Sequence, residues 1–264
     1  MSTERDKELS LVAHLKEFRD RLMVASIAVV ITTAFAFIFS VDIIRALMVP
    51  VNCSFVHIDA SHFPFLVPDF VCSDTTKKLI ALSPTENFTT FLRVSLFSGI
   101  ALAMPVILYE IYAYVDPALF PNERRFIRMS GLPILGLFIL GMSFCYFILL
   151  PNAIKFLIGF GSDVIENQLR ASDYISFVTT FILGVGLVFE VPVIIYTLVR
   201  VGVVQRSWLT KQRRYVFLLA FVIGAVLTPT PDPFNQTLVA VPMYLLFEIG
   251  LLLARFVPKP RVAA

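Results

Sequence analysis

Apolar residues gather in six runs along the chain, separated by polar segments. A bilayer core of roughly 30 Å needs about 20 apolar residues in a helix, and the runs that approach or reach this length are residues 22–39, 91–111, 131–150, 175–199, 215–227 and 238–254. The last two, of 13 and 17 residues, would span only about 20 and 25 Å at the helical rise. The pattern predicts an all-α, polytopic membrane protein with six transmembrane helices, the last two of them short.

The composition excludes a water-soluble fold. Hydrophobic residues make up 58% of the 264 residues and charged residues 16%, with a mean hydropathy of +0.82, whereas soluble domains hold about 45–50% apolar and 25% charged residues. A net charge of +3 is too small to indicate a nucleic-acid partner. Residues 1–21 mix acids with bases and no small-residue cleavage site follows the first run, so we expect that run to remain as a helix.

Positive charge is distributed unevenly between the two sides of the predicted bundle. Of 22 Lys and Arg residues, 16 fall in the tail 1–21, the loops 112–130 and 200–214 and the C-terminus, while 5 fall in the other loops. The first of these other loops, 40–90, is long, so the difference is not one of length. Because Lys and Arg concentrate on the inner side of membranes, a single membrane domain 1–264 is predicted, with both termini cytoplasmic, an amphipathic tail and a long periplasmic loop 40–90.

The cysteines test this topology. Cys53 and Cys72 share the long outer loop, where an oxidising periplasm would permit a disulfide; a bridge and two free thiols both remain open. Cys145 lies within the third run, and we expect it to be a small apolar filler.

No set of residues with catalytic chemistry is present. His14, His57 and His62 all lie outside the apolar runs, and the chain contains no HExxH, CxxC, GxSxG or P-loop motif. The sequence therefore predicts no enzyme activity and no metal or other cofactor.

Two carboxylates fall inside apolar runs, where a charge facing lipid is costly. Glu190 lies two residues before Pro192, which removes a backbone donor and disrupts a helix, so a polar gap with a function is the favoured interpretation. Glu248 lies near the middle of the sixth run. For it, a functional carboxyl and a protonated carboxyl satisfied by a neighbouring helix are equally open.

The inner and outer faces carry further polar candidates. On the tail, Leu11, Leu15, Phe18 and Leu22 form an apolar stripe, while Glu17 lies four residues before Arg21, at the spacing of a simple ion pair. Glu123 lies among bases in the first inner loop. On the outer side, Thr228 and Gln236 flank a short turn, where such residues cap helices or bind a polar group on another transmembrane helix.

Several motifs occur in the order found in one known family. Residues 14–22, which read HLKEFRDRL, resemble the N-terminal signature of the TatC family, the core subunit of the twin-arginine protein translocase. Later matches are SPTENF at 83–88, PVILY at 105–109, PALF at 117–120, ERR at 123–125, FEVP at 189–192, LTP at 227–229 and FEIG at 247–250. The resemblance thus covers residues 14 to about 256.

The resemblance implies a cup-shaped, six-helix receptor and scaffold of the Sec-independent translocase, which exports folded proteins using the proton-motive force. Glu17 and Glu123 would hold the two signal arginines, since a guanidinium pairs with carboxylates in a way that lysine does not copy. The other implied roles are a surrounding signal-peptide site (Leu15, Arg19, Tyr114, Arg124), an intramembrane polar group (Glu190), a docking patch (Ala225, Thr228, Gln236) and structural prolines (Pro50, Pro117, Pro192).

The implied partners are precursors with twin-arginine signal peptides, TatA- and TatB-like single-span proteins, the lipid bilayer and further copies of the chain. The chain departs from the family pattern at Phe18, Tyr114 and Ala225, and its outer turn is one residue longer. A competing hypothesis is a proton- or ion-coupled small-solute transporter that uses Glu190 and Glu248. The lack of inverted repeats argues against it.

Overall fold

A computed structural model describes residues 11–57, 69–72, 79–115, 121–160, 168–200, 202–228 and 232–257. The helices are α1 (Leu11–Ile38), α2 (Ser40–Asn52), α3 (Pro84–Val115), α4 (Pro121–Phe144), α5 (Leu150–Gly159), α6 (Ala171–Val188), α7 (Val191–Arg200), α8 (Arg206–Lys211), α9 (Arg213–Leu227) and α10 (Pro233–Leu253). A π-helical turn, Cys145–Leu149, joins α4 to α5, and a short antiparallel ribbon pairs β1 (Cys53–His57) with β2 (Asp69–Cys72). Three of the helices begin at a proline, whose missing N–H is harmless in a first turn.

Five helical segments of the described residues are long and apolar enough to cross a membrane. They are Leu15–Ile38, Pro84–Ile111, Pro133–Gly159, Ala171–Arg200 and Pro233–Phe256. The remaining predicted run corresponds to α9, whose 15 residues reach about 22 Å. The prediction of a short last helix is wrong: Asp232 caps α10 by accepting from the Asn235 N–H at 2.7 Å, so a polar first turn extends the helix beyond its apolar run.

The predicted loops hold more regular structure than their polarity suggested. The outer segment 40–90 contains α2, the β1–β2 ribbon and the first turns of α3, so the chain is not purely helical. The inner segment 112–130 is mostly helix, because α3 runs to Val115 and α4 begins at Pro121. The described part of the tail, residues 11–21, and the first span form one continuous helix, α1. The apolar stripe of the tail therefore continues the first span rather than forming a separate element.

Helices α1 and α3 pack with their backbones close together. The Thr32 hydroxyl donates to the Gly99 carbonyl at 2.7 Å, and a Cβ at Gly99 would lie 2.6 Å from the Cα of Thr33. Only a residue without a side chain permits this approach, which fixes the position of the tail relative to the end of α3.

The core surrounds α6. Ile175, Val178 and Phe181 are fully buried, and they pack with Cys145 and Leu150 from the third span. Cys145 is a buried free thiol, which confirms the prediction of an apolar filler.

Contacts between helix ends show which ends lie together. The start of α1 meets the end of α3 through Arg21 and Glu110, and the start of α3 meets the start of α6 through Glu86 and Arg170. At the opposite end of the bundle from the start of α6, α7 packs against the last turns of α10. The beginning of α1 and the end of α10 therefore lie at the same end of the bundle, called here the tail end.

Candidate functional site

At the tail end, one arginine joins two carboxylates from different helices. Arg21 donates to Glu17 Oε1 from Nε at 3.2 Å and from Nη2 at 2.9 Å, and to Glu110 Oε2 from Nη1 at 3.1 Å. The i,i+4 spacing alone indicated the Glu17–Arg21 pair; the contact with Glu110 on α3 is additional. The side chains of Arg21 and Glu17 are 28% and 25% exposed, so the cluster is reachable from outside.

A cavity of about 470 Å³ opens beside this cluster. It is lined by Lys16, Glu17, Asp20, Arg21, Val24 and Glu110, which mixes charges of both signs with a little apolar surface. The volume and the lining charges suit a charged side chain. We call it the tail cavity.

The other predicted tail residues surround this position. Leu15 is exposed, and Arg19 forms an exposed pair with Asp20, Nη2 to Oδ1 at 2.7 Å. Phe18 contacts Tyr114 edge-to-face, with ring centroids 5.6 Å apart. The structure therefore brings Tyr114, at the end of α3, next to the tail.

The first inner segment carries two further predicted residues of the receptor site on α4. Glu123 and Arg124 lie in the first turn of α4, but their side chains lie outside the described residues, as does the whole of Pro117. The short connection between α3 and α4 keeps the start of α4 close along the chain to Tyr114.

The fourth span is interrupted where Pro192 predicted a disruption. Helix α6 ends at Val188 and α7 begins at Val191, because Pro192 has no N–H for the Val188 carbonyl four residues earlier. Glu190 lies in this break, 4% exposed, and no described residue bonds its Oε1 atom. Burying a carboxyl oxygen without a hydrogen bond costs free energy, which a purely structural role would not explain. The functional interpretation of Glu190 therefore stays a prediction.

Glu248 has a bonding partner on a neighbouring helix, as one of its two open interpretations expected. It lies in the second half of α10, where Arg213 Nη2 donates to its Oε2 at 2.8 Å and the Tyr244 hydroxyl donates to its Oε1 at 3.0 Å. Arg213 is the first residue of α9, at the tail end. Glu248 is therefore a paired, partly exposed carboxyl, and it lies past the middle of α10 because that helix begins before its apolar run.

The predicted docking patch lies where α9 ends and α10 begins. Thr228 is buried and donates to the Gly224 carbonyl at 2.9 Å, and the Gln236 amide donates to the Phe221 carbonyl at 2.8 Å. Ala225 is half-buried on the same stretch of α9. Gln236 also packs against Gly224, where an added Cβ would lie 3.0 Å from the Gln236 carbonyl oxygen, so the two helices meet tightly at this patch.

Pro50 lies within helix α2, and the two outer cysteines lie in the β1–β2 ribbon that follows it. Pro50 is buried within the last turn of α2. In the β1–β2 ribbon the backbone of Cys53 is directly opposite that of Cys72, although both side chains lie outside the described residues. Backbones opposed in this way are close enough to permit a disulfide, which stays a prediction.

Glu86 has a structural role that the sequence analysis did not assign. This buried carboxylate accepts from the Leu82 N–H at 2.8 Å, the Ser172 N–H at 3.1 Å and Arg170 Nε at 3.0 Å. The Ser83-x-x-Glu86 spacing, which is that of a capping box, was an available signal for a helix start. The partners of Glu86 at the start of α6 had no local signal, because they lie more than 80 residues away. The same holds for Glu110 as a partner of Arg21.

Comparisons with known proteins agree over nearly the whole chain. The family model described as Sec-independent protein translocase protein (TatC) matches residues 13–242. The Sec-independent protein translocase protein TatC of Carboxydothermus hydrogenoformans is 33% identical over 256 residues, covering 97% of this chain and 96% of that protein. The TatC protein of Escherichia coli is 35% identical over 246 residues, covering 93% and 88%. A crystal structure of the twin arginine translocase receptor TatC aligns with a TM-score of 0.76 and 35% identity, over 92% of this chain and 99% of that one.

Proposed function

This chain belongs to the TatC family of Sec-independent protein translocase proteins, and from that premise we propose that it is the receptor for twin-arginine signal peptides and the scaffold of its translocase. It is a multi-pass membrane protein, and its family consists of translocase subunits rather than enzymes. The cargo is folded precursor proteins whose signals carry an Arg-Arg pair.

The observation that carries the receptor assignment is the pairing of Glu17 with the guanidinium of Arg21. Its carboxylate already receives two N–H donors from one guanidinium, that of Arg21, at a partly exposed site beside the tail cavity. Two-donor pairing distinguishes arginine from lysine. A signal arginine would occupy the same kind of geometry on Glu17, with the second arginine held by Glu123 at the start of α4.

The charge distribution and the helix directions support a proposed membrane topology. Six crossings, with α9 as a short fifth, put the tail end in the cytoplasm of a cell inner membrane, where 16 of the 22 basic residues would lie. This places the tail cavity on the side from which precursors arrive. A locally thinned bilayer would accommodate the 15-residue α9.

The patch of Ala225, Thr228 and Gln236 would receive single-span partners of the TatA and TatB type. The tight contact of α9 with α10 brings these residues together at the end of the bundle opposite the tail, with Ala225 and Gln236 partly exposed and Thr228 buried beneath them. Replacing Gln236 by Ala should reduce co-purification of a single-span partner without unfolding the protein. Undiminished co-purification in this variant would contradict the docking assignment.

Photo-crosslinking tests the receptor assignment. A photoreactive residue at Lys16, which lines the tail cavity, should crosslink to a precursor carrying Arg-Arg and not to its Lys-Lys version. Glu17→Gln and Glu123→Gln should each weaken this crosslink. The matched control is Asp42→Asn, an exposed carboxylate paired only with Arg45 among the described residues. Crosslinking to both precursors alike, in a correctly inserted protein, would refute the assignment.

A further inference from the structure

The tail cavity holds more acceptor capacity than Arg21 uses. Arg21 engages one oxygen of Glu17 and one oxygen of Glu110. Among the described residues, no donor reaches the second oxygen of either carboxylate. Two carboxylates therefore share a single guanidinium, which leaves room in charge and in hydrogen bonding for another one.

We propose that Glu110 is a third acidic residue of the signal-peptide site: it retains Arg21 when an arriving signal arginine takes over Glu17. Arg21 is thus an internal guanidinium that occupies Glu17 in the resting state. On binding, two guanidiniums are divided between two carboxylates. This inference rests on the proposed function, because it requires that Glu17 bind a signal arginine.

The exchange on Glu17 selects arginine over lysine because the arriving group must replace the pairing with Arg21. Arg21 places two donors on Glu17 Oε1, and an arriving group must match that pairing to displace it. A second guanidinium does so with its planar array of donors, whereas the ammonium of lysine is a compact point charge. An arriving arginine can therefore displace Arg21 from Glu17, whereas an arriving lysine cannot.

The structure holds Glu110 in place while leaving Arg21 able to move. The Glu110 side chain is only 13% exposed, and α3 is held against α1 by the contact of Thr32 with Gly99. Arg21 has a long side chain that can turn toward Glu110 without a backbone shift. Glu110 is consequently a positioning residue that acts on the signal site through Arg21.

The test measures the dissociation constants of two synthetic signal peptides, one with Arg-Arg and one with Lys-Lys, for the purified full-length protein. Glu110→Gln should weaken Arg-Arg binding about tenfold, roughly the size of one charge-assisted hydrogen bond, because Arg21 then stays on Glu17. Adding Arg21→Gln to Glu110→Gln should restore Arg-Arg binding to within about threefold and reduce the preference over Lys-Lys. Glu110→Asp, which keeps the charge, should bind nearly as the unchanged protein does.

Each other outcome has a defined meaning. Unchanged binding by Glu110→Gln, or an equal loss in the double variant, would overturn the role of Glu110 while leaving the receptor assignment intact. Unchanged binding by Glu17→Gln would instead refute the receptor assignment itself. Asp42→Asn serves as the matched carboxylate control, and thermal unfolding of every variant establishes that it is folded.

Discussion

The hydroxyl of Tyr146 donates to the carbonyl of Ala46 at 2.6 Å. Ala46 lies four residues before Pro50, whose nitrogen has no hydrogen to complete the helical bond to that carbonyl. A side chain from the third span thus supplies the donor that the proline lacks. The next residue of α2 is bonded to α6, because the Tyr174 hydroxyl donates to the Leu47 carbonyl at 2.6 Å.

This relationship predicts an effect of Tyr146→Phe on stability. Removing the hydroxyl leaves the Ala46 carbonyl unpaired, which should lower the free energy of unfolding by about 1–2 kcal/mol, measured by denaturation in detergent. The loss should be smaller when Pro50→Ala is also present, because alanine restores a backbone donor. Tyr109→Phe, at an exposed position, is the control, and an equal loss in both backgrounds would contradict the explanation.

Glu86→Gln should destabilise the protein more strongly. The carboxylate accepts from two backbone N–H groups and from Arg170, and its side chain is only 3% exposed. Exchanging it for an amide weakens charge-assisted bonds and turns an NH₂ toward donors, for which we expect a loss of about 2–4 kcal/mol. Asp42→Asn should change stability by less than about 0.5 kcal/mol. A loss for Glu86→Gln no larger than that of this control would show that the cluster contributes little.

Glu190→Gln should leave the fold intact and impair a step after signal binding. The amide keeps the size of the side chain and removes a buried carboxyl whose Oε1 is unbonded among the described residues, so protein levels and membrane insertion should be unchanged. Recruitment of single-span partners, followed by crosslinking, should fall. Loss of insertion instead would mean that Glu190 is a structural group.

The cysteine pair provides a test of topology. Residues opposite each other in an antiparallel ribbon have Cα atoms about 4.5–5.5 Å apart, which is within the range for disulfides. With the ribbon in an oxidising periplasm, Cys53 and Cys72 should be joined, so that alkylation under denaturing, non-reducing conditions labels only Cys145. Labelling of all three cysteines in protein taken directly from membranes would contradict the bridge.

The sequence predicted the apolar runs well and their polar extensions poorly. Hydropathy located the spans, yet the start of α10 was missed because Asn235 and Gln236 are polar, and Glu248 was consequently misplaced along its helix. The Glu17–Arg21 pair was readable because it is local. Glu110 was not, because its partner lies on another helix, and no periodicity within one segment encodes which segments meet.

The π-helical turn between α4 and α5 has a consequence for insertions and deletions. Such a turn holds a wider loop of backbone than regular α-helix, and a helix rotates about 100° with each residue. Because the π turn takes up one residue more than a regular turn does, deleting one residue within Cys145–Leu149 would let the helix become regular while its two halves keep nearly their present orientation. Deleting a residue from the regular part of α4 or α5 would instead rotate the two halves against each other by about 100° and carry buried side chains such as Leu150 out of the core. The third span should therefore tolerate a one-residue deletion inside the π turn far better than one outside it.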